Sequence, residues 1–209
     1  SGKTSQWYVP LLVTNQETPM SKSFLMNRRK YTFIIPKKNS ATKNTWTKIN
    51  PDQTGFYRVN YSEDDWNNIR GAVENMLLTP VDRLGVQNDA YSLCKAGYMY
   101  ATEFLELTKA YNKEVNASVW SDLTANLRHI DRLVSGESYH TEFRLFAKQL
   151  LGHIAKIVGW DTLENDNHLT ILLRSTILSE LGKYGDKETL EYANKLFSLY
   201  VESNKIVRA

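Results

Sequence analysis

Short segments rich in β-forming residues occupy the first sixty positions of the chain, and helical periodicity takes over after them. Four segments are candidate strands: residues 7–14, 31–35, 46–49 and 56–61. Turn-forming residues separate them at 15–19, 37–44 and 51–55. The pattern predicts an antiparallel sheet or part of a β-sandwich. About 60 residues make a thin sandwich, so we expect an open edge and a dimer through residues 7–35.

From Ser62 onward, apolar residues recur at helical spacing. Ser62 followed by Asp65 predicts one helix start, and Thr79 before Pro80 predicts a second, which should run to Ala96. Thr102 is the expected cap of a third helix that reaches Tyr111. Four more helices are predicted. Two cover 120–134 and 143–157 and end near Gly136 and at Gly159. The next starts at Leu169 and ends near Gly182 or Gly185, and the last covers 187–200 and is capped by Asp186.

Seven helices joined by short loops indicate antiparallel pairs. The predicted fold class is therefore mixed and mainly α: a partial antiparallel β-sandwich over residues 1–61, then an irregular α-solenoid or curved bundle over residues 62–209. We expect the boundary between the two domains at residues 61–63. The helical domain is expected to be truncated at its C-terminal end.

The composition of the 209 residues, with 42% hydrophobic and 23% charged, is that of an ordinary globular protein. A membrane-spanning segment is not expected, since no apolar run approaches about 18 residues. Cys94 is the single cysteine, so an intramolecular disulfide is impossible and a cysteine-based zinc site is not expected. We interpret Cys94 as a buried structural thiol and predict a reducing, cytoplasmic location.

Charge is distributed unevenly along the chain. Residues 1–50 carry nine basic residues against one acid, whereas residues 51–209 carry 17 basic and 22 acidic residues. The basic part could form a nucleic-acid-binding face. It could equally be a solvated β surface or one that docks on an acidic neighbour. We favour the second interpretation, because no aromatic recognition motif accompanies the scattered charges, and we predict no nucleic-acid partner.

No complete catalytic or metal site can be assembled from the sequence. The four histidines lie outside any H-E-x-x-H motif, and His140 near Glu142 is the nearest approach to one. The polar residues at 161–168 could form a cation site, but a loop leading into a helix N-terminus explains them better. We therefore predict no catalytic residue, no metal ligand and no cofactor within this chain.

The pairs Asp82-Arg83 and Asn88-Asp89 are the most interesting polar residues, because the other residues of their helix are mostly apolar. Polar groups in such a place must be paired or must face a cavity. One interpretation is an internal salt-bridge and amide network that holds two helices in register. The other is a wall that faces a substrate chamber or a docking domain.

Three long segments resemble the aminopeptidase N-like zinc aminopeptidases of the gluzincin type. They are residues 46–61 (WTKINPDQTGFYRVNY), 80–93 (PVDRLGVQNDAYSL) and 159–186, which contains Gly-Trp-Asp, Leu-Leu-Arg-Ser and Gly-Asp. The sequence of these segments is most similar to that of the puromycin-sensitive type. The resemblance extends from about Trp7 to Tyr200.

This resemblance implies that the chain comprises the end of a β-sandwich domain and the start of a helical domain. Zinc and the catalytic residues would lie on an upstream catalytic domain, and the helical domain would wall the peptide substrate chamber. Arg83, Asn88 and Asp89 would be the first candidates for contact with that domain. The alternative is a free-standing helical scaffold that binds a peptide or protein in its concave face.

Overall fold

The computed structural model describes residues 7–34 and 45–203. The chain divides into two compact units, residues 1–110 and residues 111–209. The first α-helix begins at Glu63, immediately after its cap Ser62. The two compact units are separated between residues 110 and 111, a different division from the predicted domains 1–61 and 62–209. The division into those domains stays a prediction.

A small antiparallel sheet opens the first unit. Its strands are β1 (Val9–Asn15), β2 (Thr18–Met26) and β3 (Thr47–Ile49), in the order β2-β1-β3. Asn15 makes the tight β1–β2 turn, because its Oδ1 accepts hydrogen bonds from the backbone N–H of Glu17 at 3.0 Å and of Thr18 at 2.7 Å. Such an Asx turn fixes the register, which pairs Leu11 with Phe24.

Three strand predictions need correction. Strand β2 was not predicted, because its polar sequence lacks a clear alternation and the β1 pairing supplies its order. Residues 31–34 form no strand, and Ile35 lies outside the described residues. Residues 56–61 form no strand either, since the backbone N–H of Val59 donates to the Asp89 carboxylate rather than to a neighbouring strand.

Seven α-helices follow within the described residues, together with two short 3₁₀ turns at Pro51–Gln53 and Lys109–Lys113. The helices are α1 (Glu63–Glu74), α2 (Pro80–Lys95), α3 (Ala101–Thr108), α4 (Ala117–Leu133), α5 (His140–Val158), α6 (His168–Lys183) and α7 (Lys187–Ser203). Three predicted caps are confirmed by hydrogen bonds from a backbone N–H three residues on to the side chains of Ser62, Thr79 and Asp186.

The start of α3 was predicted wrongly. The helix begins at Ala101, and Glu103 caps it by accepting a hydrogen bond from the backbone N–H of Tyr100 at 2.7 Å. Thr102 therefore lies inside the first turn. The helix ends at Thr108, so Tyr111 belongs to the 3₁₀ turn that follows.

Each unit has its own apolar core. In the first unit, Ile69, Ala90 and Phe104 are completely buried between α1, α2 and α3. In the second unit, α4 packs on α5 and α6, and α6 also packs on α7, with Leu123 and Ile177 completely buried. These features confirm a mixed, mainly α fold with a small antiparallel sheet. The solenoid arrangement of the helices stays a prediction.

Candidate functional site

The loop that follows β3 has an unusual backbone. Asn50, Asp52 and Gln53 adopt φ angles of 60°, 54° and 53°, in the left-handed region that few residues other than glycine enter. Asn50 is completely buried, and its side chain closes the loop. Its Oδ1 accepts a hydrogen bond from Gly55 N at 2.6 Å, and its Nδ2 donates to Gly55 O at 2.9 Å. An asparagine side chain is suited to stabilise such a turn.

Helix α2 supplies the surface on which this loop rests. A Cβ atom at Gly85 would lie 1.8 Å from Nε2 of Gln53, so the absence of a side chain at Gly85 makes room for the glutamine. A glycine inside a helix lowers helix propensity and often has a packing reason. Here the reason is the close approach of the loop.

Lys48 is a buried cation at the centre of the site, with only 1% of its surface exposed. Its Nζ donates to the carbonyl oxygens of Ile49 at 2.7 Å and Asn50 at 2.9 Å, and lies 3.6 Å from Oδ1 of Asp82. Burial lowers the pKa of Lys48, and the attraction of Asp82 opposes that shift. Lys48 therefore binds these two carbonyl oxygens and, through Asp82, connects them to α2.

Asp82 joins the loop to the first turn of α2. Its Oδ1 accepts a hydrogen bond from the backbone N–H of Asp52 at 2.9 Å, and its Oδ2 accepts one from Thr79 Oγ1 at 3.2 Å. A carboxylate in the first turn also suits the helix dipole. Asp82 is thus an anchor for the loop as well as part of a helix cap.

Asp89 forms a second anchor two turns along α2. Its carboxylate is 1% exposed, lies 3.0 Å from Arg58 Nη1 and accepts a hydrogen bond from Val59 N at 3.3 Å. Burial raises the pKa of Asp89, and the hydrogen bond from Arg58 opposes that shift. Arg58 Nη1 also donates to Oδ1 of Asn88, while half of the arginine side chain is exposed.

Two of the residues singled out in the sequence, Asn88 and Asp89, share Arg58. Arg83 is buried and donates to the carbonyl oxygen of Leu78 at 2.6 Å. Asp82 and Asp89 connect α2 to the loop after β3 and to the segment that follows that loop. Contact of Arg83, Asn88 and Asp89 with another domain stays a prediction.

Sequence reasoning missed two central members of this network, Lys48 and Asn50. Both lie in the 46–61 segment that resembles the aminopeptidases. A lysine in a short β segment normally points to solvent, so its residue type gave no signal of burial. The glycine inside α2 was the one available sign that a neighbour approaches closely.

Two of the remaining polar candidates, Asp166 and His140, have structural partners. In the loop before α6, Asp166 accepts hydrogen bonds from Leu163 N at 2.8 Å and Arg174 Nη2 at 2.7 Å. His140 lies 2.8 Å from Asp131. Cys94 was predicted to be buried but is partly exposed, and partial burial raises the pKa of its thiol.

In residues 7–34 and 45–203, no group of three or more histidine, cysteine, aspartate or glutamate residues is placed to hold a metal ion. Over the same part of the chain, no helix has the length and apolar character needed to cross a membrane.

Comparisons with known proteins identify the family. Residues 46–208 match the ERAP1-like C-terminal domain. Aminopeptidase M1-A of Oryza sativa subsp. japonica is 31% identical over 205 residues, which cover 96% of this chain and 23% of the rice protein. Glutamyl aminopeptidase of Homo sapiens is 31% identical over 199 residues, which cover 93% of this chain and 20% of the human protein. The chain spans between a fifth and a quarter of the length of these relatives, and it belongs to the ERAP1-like C-terminal domain family.

Proposed function

We propose that this chain is the non-catalytic C-terminal region of a zinc-dependent aminopeptidase that removes N-terminal residues from peptides. The observation that carries the proposal is the extent of the match. Nearly the whole chain aligns with proteins named aminopeptidases, yet it covers 23% or less of the rice and human proteins. Catalytic machinery in the parent protein would then lie outside this segment.

In this proposal an upstream catalytic domain would hold zinc, which would supply an activated water for attack on the peptide bond. This chain contributes no catalytic residue and no zinc ligand. The parent would be a cytoplasmic enzyme of the puromycin-sensitive type. The resemblance in segments 46–61 and 80–93 and the single cysteine support that finer assignment.

The proposed role of the chain is to wall the substrate chamber and to pack on the catalytic domain. The loop around Asn50 supports this role, because its backbone is fastened to α2 while the next residue beyond it, Phe56, is fully exposed. A large aromatic side chain on a fixed loop is typical of an interface anchor. Arg58 presents its half-exposed guanidinium beside it. Asn88 and Asp89 would then contribute indirectly, because they bind Arg58 and orient its guanidinium.

The test compares this chain with the longer product of its gene. The 209-residue chain should contain no stoichiometric zinc and should not hydrolyse an aminoacyl-arylamide. The longer protein should contain stoichiometric zinc and should hydrolyse the aminoacyl-arylamide, and a chelator should abolish this turnover. Chelator-sensitive turnover by the short chain, or a gene without H-E-x-x-H upstream of Trp7, would overturn the proposal and favour a free-standing scaffold.

Phe56→Ala tests the packing role separately. Because Phe56 makes almost no contact within the described residues of the short chain, its removal should leave the unfolding midpoint of that chain unchanged. The same substitution should lower the midpoint of the longer protein. An equal effect in both proteins would contradict a contact with the catalytic domain.

We also propose that the sheet pairs with a second copy of the chain. Strand β2 is at one end of the described sheet, and it presents Leu25, which is 55% exposed. An unpaired edge strand is a template for further strand pairing. This proposal applies to the 209-residue chain in solution.

A further inference from the structure

We propose that a groove in the first unit binds a basic side chain, arginine or lysine, of a peptide. The groove has a volume of about 430 Å³ and lies between the start of α1, the α2–α3 connection and α3. None of Arg83, Asn88 and Asp89 lines it, and Tyr61, which does, connects it to Ile49 beside the Lys48 network. Its walls combine aromatic rings, carboxylates and amides.

One aromatic wall is held in place without a ligand. The rings of Tyr61 and Trp66 pack edge to face, with centroids 5.0 Å apart and an interplanar angle of 78°. The Trp66 Nε1–H donates to Oδ1 of Asn60 at 3.3 Å, and the Tyr61 hydroxyl accepts a hydrogen bond from Ile49 N at 3.1 Å. A ligand would therefore meet a preformed surface, which reduces the entropy cost of binding.

Tyr98 supplies a second aromatic surface at the groove, and 73% of its side chain is exposed. Gly97 before it adopts a φ of 77°, and the backbone N–H of Tyr98 donates to Leu93 O at 2.9 Å. This helix-terminating turn fixes the backbone from which the ring projects. Aromatic faces attract ammonium and guanidinium groups, most strongly guanidinium.

The charge of the groove selects a cation. Three glutamates and one arginine line it, a formal net charge of −2. Glu103 is engaged by Tyr100 N at 2.7 Å, and Glu106 by Lys109 at 2.5 Å and Arg70 at 3.4 Å. The third, Glu63, is exposed and makes no ion pair within the described residues. Its carboxylate is free to pair with an incoming cation.

The other ligand classes fit less well. A phosphate or nucleic acid would be repelled by the net negative charge, and a purely apolar ligand would leave the carboxylate of Glu63 without a partner. A cavity of several hundred Å³ accommodates an arginine side chain with its adjoining peptide groups. The exposed amide of Asn67 offers a donor and an acceptor to those groups. The inference takes from the proposed function only that peptides are the ligands encountered.

The test is an NMR titration of the 209-residue chain with three probes. The first is an N-acetylated, C-amidated pentapeptide, Gly-Gly-Arg-Gly-Gly. The second has neutral citrulline in place of arginine, and the third is free arginine. We expect the arginine peptide to bind about tenfold more tightly than the citrulline peptide. It should also bind more tightly than free arginine, and the shifts should fall on residues 60–70 and 98–107.

Two exposed positions provide variants that should still fold. Glu63→Gln and Tyr98→Ala should each weaken binding of the arginine peptide about threefold, and the double variant about tenfold. Glu191→Gln, an exposed glutamate on α7, is the matched control and should change nothing. Equal binding of the arginine and citrulline peptides, or affinity that survives the double variant, would overturn the site. Equal binding of free arginine would overturn the peptide assignment. None of these outcomes bears on whether the parent is an aminopeptidase.

Discussion

Replacing Lys48 by methionine tests whether the buried polar network holds the loop on α2. Methionine retains most of the unbranched alkyl chain, so packing of the stem is largely preserved. The substitution removes the ammonium group that contacts Ile49 O, Asn50 O and the Asp82 carboxylate. Both carbonyls and the carboxylate then lose a donor in a place that water reaches poorly.

The expected loss can be worked from these contacts. Removing one partner of a buried ion pair typically costs about 3–5 kcal/mol, because the other charge stays buried. Two features reduce the loss here. Burial lowers the pKa of Lys48, so the native state already bears a desolvation cost for the cation. Asp82 also keeps hydrogen bonds from Asp52 N and Thr79 Oγ1. We therefore expect a loss of about 3 kcal/mol in the free energy of unfolding, the lower end of that range.

The assay is urea unfolding at neutral pH, combined with amide hydrogen exchange to locate the effect. Because the chain has two compact units, a single midpoint would average two transitions. Lys48→Met should accelerate exchange in residues 45–61 and in α2, while the cores of α4 and α6 keep their protection. Lys195→Met, at an exposed position on α7, is the matched control and should leave both units unchanged.

A second substitution separates the charge from the shape of the site. Adding Asp82→Asn to Lys48→Met removes the carboxylate that was left unpaired, so the double variant should recover about 1 kcal/mol. A loss below about 1 kcal/mol for Lys48→Met alone would refute the reasoning. So would a double variant that shows the simple sum of two losses, since the two groups would then not interact.

Three further predictions concern other parts of the chain. Gly85→Ala should destabilise the first unit by about 1–2 kcal/mol despite the better helix propensity of alanine, because the new Cβ would lie 1.8 Å from the Gln53 side chain. The loss of stability should be smaller in a Gln53→Ala background. Urea unfolding measures both effects. Burial on its own would raise the pKa of Asp131, but the hydrogen bonds from Arg144 and His140 outweigh burial and lower that pKa. The stability contributed by the ionised carboxylate is therefore present above about pH 4 and is lost as pH falls through the lowered pKa. Asp131→Asn should therefore flatten the acid limb of the stability profile, and an unchanged limb would contradict this sign. Light scattering of the 209-residue chain should detect dimers at high concentration, and Leu25→Lys on β2 should shift them towards monomers; a monomer at every concentration would refute edge pairing.

Three helix starts were predictable from sequence, because the residue type of the capping side chain indicates them. Ser62, Thr79 and Asp186 each accept the expected backbone hydrogen bond, because capping depends on residues within three positions of each other. Tyr100 gave no such signal. The α3 cap comes instead from Glu103, which reaches back to the backbone.

Strands and the site were less predictable, because their partners are distant in sequence. The 56–61 segment has the residue types of a strand, yet its backbone bonds to a carboxylate thirty residues away at Asp89. The burial of Lys48 depends equally on Asp82. Local propensity carries no information about such contacts, so the fold class could be predicted and the polar network could not.

Residues 46–61, one of the three segments that resemble the aminopeptidases, are explained by these contacts without any catalytic role. Asn50 is required for the left-handed turn, and Lys48 for the carbonyls that this turn directs inward. Tyr61 links the two surfaces of the first unit, since its hydroxyl binds Ile49 in the loop and its ring packs on Trp66 at the groove. A substitution that frees the loop from α2 should therefore also disturb the groove. Loss of arginine-peptide binding in Lys48→Met, with Glu63 and Tyr98 intact, would measure that coupling, and unchanged affinity would separate the two surfaces.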